Sequence, residues 1–425
     1  MLLFKNGFVV DPSQNICEQR DVLIKDGHVV ELAPNIDIND SLEVIDVREK
    51  IVIPGLIDMH VHFREPGFEH KETILTGCQA AVRGGFTGVA CMPNTKPTAD
   101  NEGVIELILA RAKKYDLVDV YPIACITKGQ EGNELVEFAI LKECGAVAFS
   151  DDGFTVKNSA VMRRAMDYAK MMDLLLISHC EDEDLVGLGV MHEGLVSTQL
   201  GLAGIPPEAE EIIIDRDIRL AELTKSRIHI AHVSTKGGVE IIRRAKNKGI
   251  KVTAEVTPHH FSLTHEAVRG YDTNTKVNPP LRTDEDVEAL INGLKDGTID
   301  CIATDHAPHA REEKEVEYDY APFGISGLEI ALPLSWQNLY LAGYLTLSEL
   351  IRALSTRPSE ILGLDKGSIK PGKVADITII DPQLKQKVDP SRFASLGKNT
   401  PFTGWELTGW PVMTLKAGKI VYQGN

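Results

Sequence analysis

Two histidines that lie two residues apart offer the clearest chemistry in this sequence. His60 and His62 follow an apolar run over residues 51–57, within the segment IVIPGLIDMHVHFREPG. Residues i and i+2 of a β-strand point to the same side, so both imidazoles can reach one point above a strand. This spacing is typical of a metal-binding pair, although two ordinary polar residues at a strand-to-loop transition would look the same.

Other residues of ligand type follow further apolar segments that are predicted to be strands. They are Asp151 and Asp152 in FSDDG, His179 in ISHC, His232 in IAHVS and Asp305 in ATDHAPH. Each alone has an ordinary explanation as a core histidine or a turn residue, but their joint placement at strand ends indicates a metal centre. Histidine, aspartate and water ligands suit Zn²⁺ or a similar divalent ion, and there are enough for two bridged ions. Spacing alone leaves open which of the two adjacent aspartates is the bridge.

The middle of the chain must position these ligands, and its pattern alternates between strands and helices. Predicted strands run from residues 52–58 to residues 301–304, with helical patterns such as 101–115 and 160–172 between them. Repeated β/α units predict an α/β fold, a (β/α)8 TIM barrel, with an open doubly wound sheet as the alternative. In a barrel the carboxyl ends of the strands meet at one face, so the ligands would converge there.

Both ends of the chain read differently, as short β segments separated by turns. The segment KDGHVV carries an Asp-Gly signal for a tight hairpin. Short flanking strands cannot bury a face alone, so the two ends are expected to assemble into one small β-sandwich. We therefore predict a composite sandwich from residues 1–52 and 368–425, and a hydrolase barrel from residues 53–367.

Composition excludes several classes of function. The 425 residues carry a formal net charge of -17, with no lysine- or arginine-rich run, which argues against nucleic acid or an anionic membrane as a partner. The seven cysteines are odd in number and lack CxxC spacing, as expected for reduced thiols. Neither a signal peptide nor a run of about 18 apolar residues is apparent, so we expect a cytoplasmic protein.

The combination of DMHVHFREPG, a histidine after strands five and six, and ATDHAPH resembles the amidohydrolase superfamily, most closely class I dihydroorotases. The resemblance extends over nearly the whole chain. It implies that His60, His62 and Asp305 hold a buried ion and that His179 and His232 hold a more exposed one. It further implies two Zn²⁺ ions per subunit, bridged by Asp152 and a hydroxide.

The fourth strand separates this chain from other members of the superfamily. Hydantoinases and allantoinases resemble it, but they typically carry a carbamylated lysine where AFSDDG has aspartates and where the next lysine is Lys157. This difference favours a dihydroorotase over a hydantoinase- or allantoinase-type enzyme. A non-catalytic dihydroorotase-like scaffold subunit is the other alternative, but such subunits usually lack some metal ligands.

The resemblance also implies a reaction, the reversible cyclisation of N-carbamoyl-L-aspartate to L-dihydroorotate in pyrimidine biosynthesis, with Asp305 as catalytic acid and base. A carboxylated substrate needs a local cation, and Arg64 lies two residues beyond His62. The family pattern assigns further substrate contacts to His62, Asn94, Asn278, His309, Phe323 and Gly324.

Several features stay open at this level. A homo-oligomer, expected to be a dimer, and an association with aspartate transcarbamoylase are compatible with the resemblance, but no segment marks an interface. Residues 310–321, AREEKEVEYDYA, form a charged stretch that is either a solvated loop or a lid over the site. His259 and His260 follow the seventh strand and could either shape the site or be structural.

Overall fold

The structure is a computed structural model, and it describes residues 1–38 and 43–424. In these residues eight parallel strands form one sheet, and each strand pairs with its neighbours in chain order. They are Leu56–Val61, Phe86–Cys91, Asp119–Ala124, Ala148–Ser150, Leu176–Ser178, Ile228–Ile230, Val252–Val256 and Cys301–Ile302. A parallel bridge between Val61 and His306 brings the end of the last unit back to the first strand. The predicted barrel is confirmed.

Helices connect the strands and cover the outside of the barrel. The longer ones are Ile74–Arg83, Glu102–Tyr115, Ser159–Met171, Glu208–Thr224, Lys236–Asn247 and Asp284–Asp296. Shorter ones are Phe138–Glu143, Glu183–Val186, Leu195–Leu200, Arg311–Lys314, Ala331–Ser335, Leu347–Ile351 and Arg357–Leu362. Side-chain caps define several starts, since Thr73, Asn101 and Thr283 each accept an N–H from the first turn of the following helix. Among the described helices, none has the length and apolar character needed to cross a bilayer.

Strands from both ends of the chain form a separate mixed sheet. They are Leu2–Asp11, Ile16–Lys25, His28–Ala33, Glu43–Asp46, Ile51–Pro54, Ile377–Lys387, Glu406–Lys416 and Lys419–Gln423. Ile51–Pro54 pairs with Leu2–Asp11 on one side and with Ile377–Lys387 on the other, and so joins the two ends. A small parallel pair, Met191–His192 and Gly204–Ile205, lies apart from both sheets.

The predicted Asp-Gly hairpin is present between the second and third strands of this mixed sheet. Lys25 pairs with His28, and the two residues between them have φ angles of 50° for Asp26 and 79° for Gly27. Positive φ at both central positions is the geometry of a type I′ turn, which suits aspartate and glycine.

The first predicted strand, residues 52–58, is in fact two strands in different sheets. Pro54 ends a strand of the mixed sheet and Leu56 begins the first barrel strand. Gly55 lies between them, and its N–H donates to the carbonyl oxygen of Asp376 at 2.9 Å. A Cβ at Gly55 would lie 2.1 Å from Thr87 Oγ1, so only glycine fits at this junction. Both strands are buried throughout, which explains why the sequence reads as one continuous apolar run.

Candidate metal centre and active site

A cavity of about 160 Å³ opens at the carboxyl ends of the barrel strands. Its lining combines imidazoles, carboxylates and amides: His62, Arg64, Asn94, Asp152, Gly153, His179, His232, Asn278, Asp305, Ala307, Phe323 and Gly324. A larger cavity of about 490 Å³ is lined by other residues, among them Leu294 and Arg357, and none of its described lining residues is a histidine. The smaller cavity is therefore the candidate active site. Among the predicted metal ligands, His60 alone does not line it, because its side chain is fully buried behind the others.

Asp58 holds together the strands that carry the first and last ligands. Its Oδ1 accepts from the backbone N–H groups of His60 and Thr304 at 3.0 and 3.1 Å, and its Oδ2 accepts from Thr304 Oγ1 at 2.6 Å. Burial raises the pKa of the Asp58 carboxyl to about 7. These bonds fix the position of His60 and His62 relative to Asp305, which follows Thr304.

Two histidines and two aspartates form a first ligand group. His60 Nε2 lies 3.4 Å from Asp152 Oδ2 and 3.5 Å from Asp305 Oδ1. His62 Nε2 lies 3.5 Å from Asp152 Oδ2 and 2.9 Å from Asp305 Oδ1. Ligand atoms about 2.1 Å from a tetrahedral ion lie roughly 3.4 Å from one another, so this spacing suits a single divalent ion.

The other oxygen of Asp152 faces a second ligand group. Asp152 Oδ1 lies 3.5 Å from His179 Nδ1 and 3.5 Å from His232 Nε2, and these two nitrogens are 2.8 Å apart. Because its two oxygens face different histidine pairs, Asp152 has the geometry of a bridge.

Asp151 points elsewhere, which bears on the choice that spacing left open. Its carboxylate accepts from the backbone N–H groups of Ile126 and Thr127 at 2.8 and 3.0 Å and from Thr127 Oγ1 at 2.5 Å. These contacts secure the loop after the third strand. The geometry favours Asp152 as the bridge.

Buried ligand atoms without hydrogen-bond partners also indicate a divalent ion at this site. Among the described residues, His60 Nε2 and Asp152 Oδ1 are buried and have no hydrogen-bond partner. Buried polar atoms normally have partners, and both of these atoms face the ligand groups, so a cation would satisfy them. Burial opposes charge on His60, but the carboxylates of Asp152 and Glu255 outweigh it and hold the pKa of His60 well above its usual value. The site therefore concentrates opposite charges in a small volume.

Glu255 is a site residue that the sequence analysis did not single out. Its Oε1 lies 2.6 Å from His60 Nδ1 and 3.3 Å from the backbone nitrogen of His232, and its Oε2 lies 3.1 Å from His229 Nε2. A proton shared between His60 Nδ1 and this carboxylate leaves Nε2 free to face the ligand group. The sequence offered one signal, a glutamate inside the predicted strand segment KVTAEV, and the structure buries this residue fully.

Substitution of Glu255 by glutamine is expected to weaken metal binding about 10- to 100-fold, because His60 loses the carboxylate that fixes its tautomer and orientation. Competition between the protein and a chromophoric chelator measures this affinity directly. Glu329→Gln, at a buried carboxylate that accepts from the backbone nitrogens of Ala394 and Ser395, is a matched control. Equal metal affinity in the Glu255 variant and the wild type would contradict this role.

Arg64 lines the cavity and makes only weak polar contacts with the residues that the structure describes. Its Nε donates to Pro308 O at 3.3 Å, and one terminal nitrogen lies 3.4 Å from His309 Nε2. Burial lowers the pKa of the guanidinium to about 10, which still leaves it protonated at neutral pH. In the part of the chain that the structure describes, Arg64 makes no salt bridge, so it is available to an anionic ligand.

Asn94 lines the same cavity as Arg64 and presents a donor to it. Its Oδ1 lies 2.8 Å from His62 Nδ1, which must carry a proton if His62 Nε2 faces the ligand group. The amide nitrogen of Asn94 is therefore turned away from His62. It lies near Gly153, where an added Cβ would be 3.5 Å from it.

The remaining predicted substrate contacts are more engaged within the protein. His309 does not line the cavity. Its Nε2 lies 2.8 Å from Phe323 O, and burial with Arg64 and two lysines nearby lowers the pKa of the imidazole to about 2. Gly324 N donates to Lys276 O at 2.9 Å, and Gly324 O accepts from Asn399 Nδ2 at 2.9 Å. Phe323 and Gly324 therefore form part of the cavity wall, and His309 contacts Phe323 without lining the cavity itself.

Two buried lysines anchor the charged stretch over residues 310–321. Lys314 Nζ donates to the carbonyl oxygens of Thr273 and Pro322 at 3.0 and 2.7 Å. Lys276 Nζ donates to those of Tyr318 and Asp319 at 2.9 and 3.0 Å. Movement of this stretch as a lid stays a prediction.

The two histidines after the seventh strand differ in their contacts. His260 lies 2.7 Å from Thr257 Oγ1 through Nδ1 and 2.9 Å from Pro279 O through Nε2, so it holds the loop that carries Asn278. His259 Nε2 has no hydrogen-bond partner among the described residues.

Comparison with known proteins identifies the family. The dihydro-orotase-like family matches residues 49–238, and an amidohydrolase family matches residues 337–422. A dihydroorotase from Pelotomaculum thermopropionicum is 58% identical over 422 residues, which cover 99% of this chain and 98% of the relative. This chain belongs to the dihydroorotase family. A second dihydroorotase, from Syntrophus aciditrophicus, is 53% identical over 423 residues and 99% of each chain.

Solved structures of cyclic amidohydrolases share the fold of this dihydroorotase family member. An L-hydantoinase (dihydropyrimidinase) from Arthrobacter aurescens has a TM-score of 0.89 at 26% identity, covering 100% of this chain and 96% of the other. A D-hydantoinase (dihydropyrimidinase) from Thermus sp. has a TM-score of 0.85 at 24% identity, covering 100% and 95%, and shows the fold alone. The chain is thus a metal-dependent cyclic amidohydrolase of the dihydroorotase family, as the sequence analysis expected.

Proposed function

We propose that this chain interconverts N-carbamoyl-L-aspartate and L-dihydroorotate, closing the ring in the biosynthetic direction. The observation that carries the proposal is the unpaired guanidinium of Arg64 at the edge of a cavity lined by metal-type ligands. Both compounds carry a carboxylate on the carbon that is bonded to a nitrogen of the ureido group, so a fixed cation next to the ligand cluster matches them. The relatives named dihydroorotase support the same reaction.

We propose two Zn²⁺ ions as cofactors. His60, His62 and Asp305 would hold one, His179 and His232 the other, and Asp152 would contact both. The distances between their ligand atoms and the unpartnered His60 Nε2 and Asp152 Oδ1 support this assignment. When bound, such ions lower the pKa of water towards neutrality and polarise an amide carbonyl.

Arg64 and Asn94 bind the substrate carboxylate in this proposal. The guanidinium supplies N–H donors and the charge, and Asn94 supplies its amide N–H beside Gly153. Fixing the carboxylate at one edge of the cavity brings the reacting carbonyl carbon towards the ligand cluster. Arg64 and Asn94 therefore use the binding of the carboxylate to hold the substrate in a reactive orientation.

Asp305 moves the proton. Its Oδ1 lies 2.9 Å from His62 Nε2, and its side chain lines the cavity where the reacting atoms would lie. In ring opening, Asp305 takes a proton from the attacking water and delivers it to the ring nitrogen as the carbon–nitrogen bond breaks. In ring closure the terminal ureido nitrogen attacks the carbon of the side-chain carboxyl group. Asp305 takes the proton that this nitrogen loses and gives it to the carboxyl oxygen that leaves as water when the carbon–oxygen bond breaks.

Substitution of Arg64 by alanine is expected to raise KM for L-dihydroorotate about 10- to 100-fold, because one partner of a charge-assisted hydrogen bond is removed. Steady-state kinetics in the ring-opening direction measure the change. Arg311→Ala is the matched control, since Arg311 pairs with Glu315 on the exposed surface. A KM for Arg64→Ala within a factor of about two of wild type would contradict the carboxylate-binding role.

The function itself is tested by following both directions with purified, metal-loaded protein. We expect ring opening of L-dihydroorotate at alkaline pH, ring closure of N-carbamoyl-L-aspartate at acidic pH, and loss of both after chelation. Binding of metal without turnover in either direction would contradict the proposal and favour the scaffold alternative.

The dimer, the association with aspartate transcarbamoylase and the cytoplasmic location stay predictions. Every ligand and substrate-contact residue proposed here comes from one chain, so the proposed site takes no residue from a partner. Light scattering of the purified protein tests the dimer.

A further inference from the structure

Asn278 has one end of its amide in a hydrogen bond and the other end without a partner. Its Nδ2 donates to Glu181 Oε2 at 2.5 Å. Its Oδ1 is buried and, among the described residues, has no hydrogen-bond partner. Asn278 lines the same cavity as Arg64, Asn94 and the ligand cluster. A buried acceptor without a partner at a cavity wall is suited to a donor on the ligand.

The carboxylate of Glu181 determines which end of the Asn278 amide faces it. A carboxylate only accepts hydrogen bonds, so the amide nitrogen must face Glu181. Turning the amide over would place two acceptor oxygens about 2.5 Å apart, which no hydrogen bond would compensate. The carbonyl oxygen of Asn278 is therefore the end left without a hydrogen-bond partner among the described residues.

The backbone of Glu181 is itself held in place. Its N–H donates to Thr155 Oγ1 at 3.0 Å, and that hydroxyl donates to the carbonyl oxygen of His179 at 2.6 Å. The Glu181 side chain is 15% exposed, and its Oε2 lies 3.9 Å from His179 Nε2. The carboxylate is thus a fixed reference for Asn278 and also a neighbour of a proposed metal ligand.

The two asparagines at the cavity present opposite hydrogen-bonding groups. Asn94 gives its oxygen to His62 and keeps its nitrogen for the ligand, whereas Asn278 gives its nitrogen to Glu181 and keeps its oxygen. The cavity thus offers hydrogen-bond donors from Arg64 and Asn94 and a separate acceptor, the oxygen of Asn278. L-Dihydroorotate and N-carbamoyl-L-aspartate match this polarity, because each carries a carboxylate and at least one N–H.

We propose that Glu181 is a positioning residue for substrate specificity, which fixes Asn278 as the acceptor for a ring or ureido N–H of the substrate. The proposal rests on the proposed dihydroorotase activity. It separates Glu181, which touches no reacting atom, from Asn278, which touches the substrate. It also predicts that the site discriminates against ligands whose N–H at this position is blocked.

The first test compares Glu181→Ala and Glu181→Gln with wild type. Alanine frees the Asn278 amide, and glutamine can face it with either end, so both variants weaken N–H recognition. We expect KM for L-dihydroorotate to rise about tenfold in Glu181→Ala, less in Glu181→Gln, with kcat within about threefold. Glu183→Gln is the matched control, because Glu183 lies two residues on and pairs with Lys157.

The second test uses inhibition by dihydroorotate methylated at N1 or at N3. In the wild type, methylation of the nitrogen that faces Asn278 weakens inhibition relative to the unmethylated parent compound. In Glu181→Ala and in Asn278→Ala this difference becomes smaller, because the acceptor is misplaced or absent. A difference that is the same in all three proteins, or no difference for either methyl compound, would overturn the proposal.

Metal content, measured on every variant, separates this role from an effect through His179. Glu181→Ala that has lost metal would show that the carboxylate supports the metal ligand, which would overturn the positioning role. Activity of the wild type separates the two proposals. If the wild type is active and KM is unchanged in both Glu181 variants, the positioning role of Glu181 is rejected and the proposed activity stands. A wild type that does not act on dihydroorotate at all rejects the proposed function as well.

Discussion

Asp305→Asn is expected to lower kcat in both directions by at least about a hundredfold, while the protein stays folded. Asparagine keeps the size of the side chain and one oxygen that can face the His60 and His62 nitrogens, but it cannot take or deliver a proton. General acid–base groups supply roughly 10²- to 10⁴-fold, and asparagine is also a weaker metal ligand. His60 and His62 lower the pKa of Asp305 against the effect of burial, as suits a group that starts ring opening ionised.

The test combines kcat, metal content and thermal melting of Asp305→Asn. We expect a melting temperature close to wild type, because the loop is also held by Asp58 through Thr304. Asp215→Asn, at an exposed aspartate paired with Arg219, is the matched control for kcat. A metal-loaded Asp305→Asn with more than about a tenth of the wild-type rate would contradict the proton-transfer role.

Asp152→Ala is the substitution with the second large effect, because it removes one oxygen from each ligand group. Asp152 Oδ2 faces His60 and His62, and Oδ1 faces His179 and His232. We expect the number of tightly bound ions to fall below that of wild type and the rate to fall at least about a hundredfold. The size of the fall in rate follows from the several kcal/mol that metal ions contribute to transition-state stabilisation.

Asp151→Asn is the matched comparison for Asp152. Asp151 accepts from the backbone nitrogens of Ile126 and Thr127, and burial raises the pKa of its carboxyl to about 6. Its substitution is expected to lower thermal stability and to leave metal content unchanged. Elemental analysis after gel filtration reports the bound ions in both variants. Loss of metal in Asp151→Asn with full retention in Asp152→Ala would reverse the assignment of the bridge.

Much of the barrel could be predicted because parallel strands have a strict geometry. Alternating apolar strands and helical patterns require the strand ends to meet, so ligand-type residues at those ends could be grouped without coordinates. The position of Gly55 could not be predicted in this way. Residues 51–54 and 56–61 are buried in two different sheets, and an apolar run carries no mark of where the chain passes between them.

The side-chain partners were the harder part of the site. Glu255, on the seventh barrel strand, contacts His60 of the first strand and His229 of the neighbouring sixth strand, and such pairings depend on strand register, which one sequence does not reveal. His309 and Phe323 hydrogen-bond to each other, and their predicted contact with the substrate stays a prediction. Which polar atoms of a loop are taken by its own backbone is settled only by the folded chain.

Carboxylate recognition is tested most directly by measuring kcat/KM for L-dihydroorotate and for hydantoin on the same metal-loaded protein. Hydantoin lacks the carboxylate that Arg64 and Asn94 are proposed to bind, although the fold is shared with hydantoinases. We expect dihydroorotate to be preferred by at least about tenfold, because hydantoin loses a charge-assisted hydrogen bond. Equal values, or a preference for hydantoin, would contradict the claim that carboxylate recognition beside the metal centre defines this enzyme.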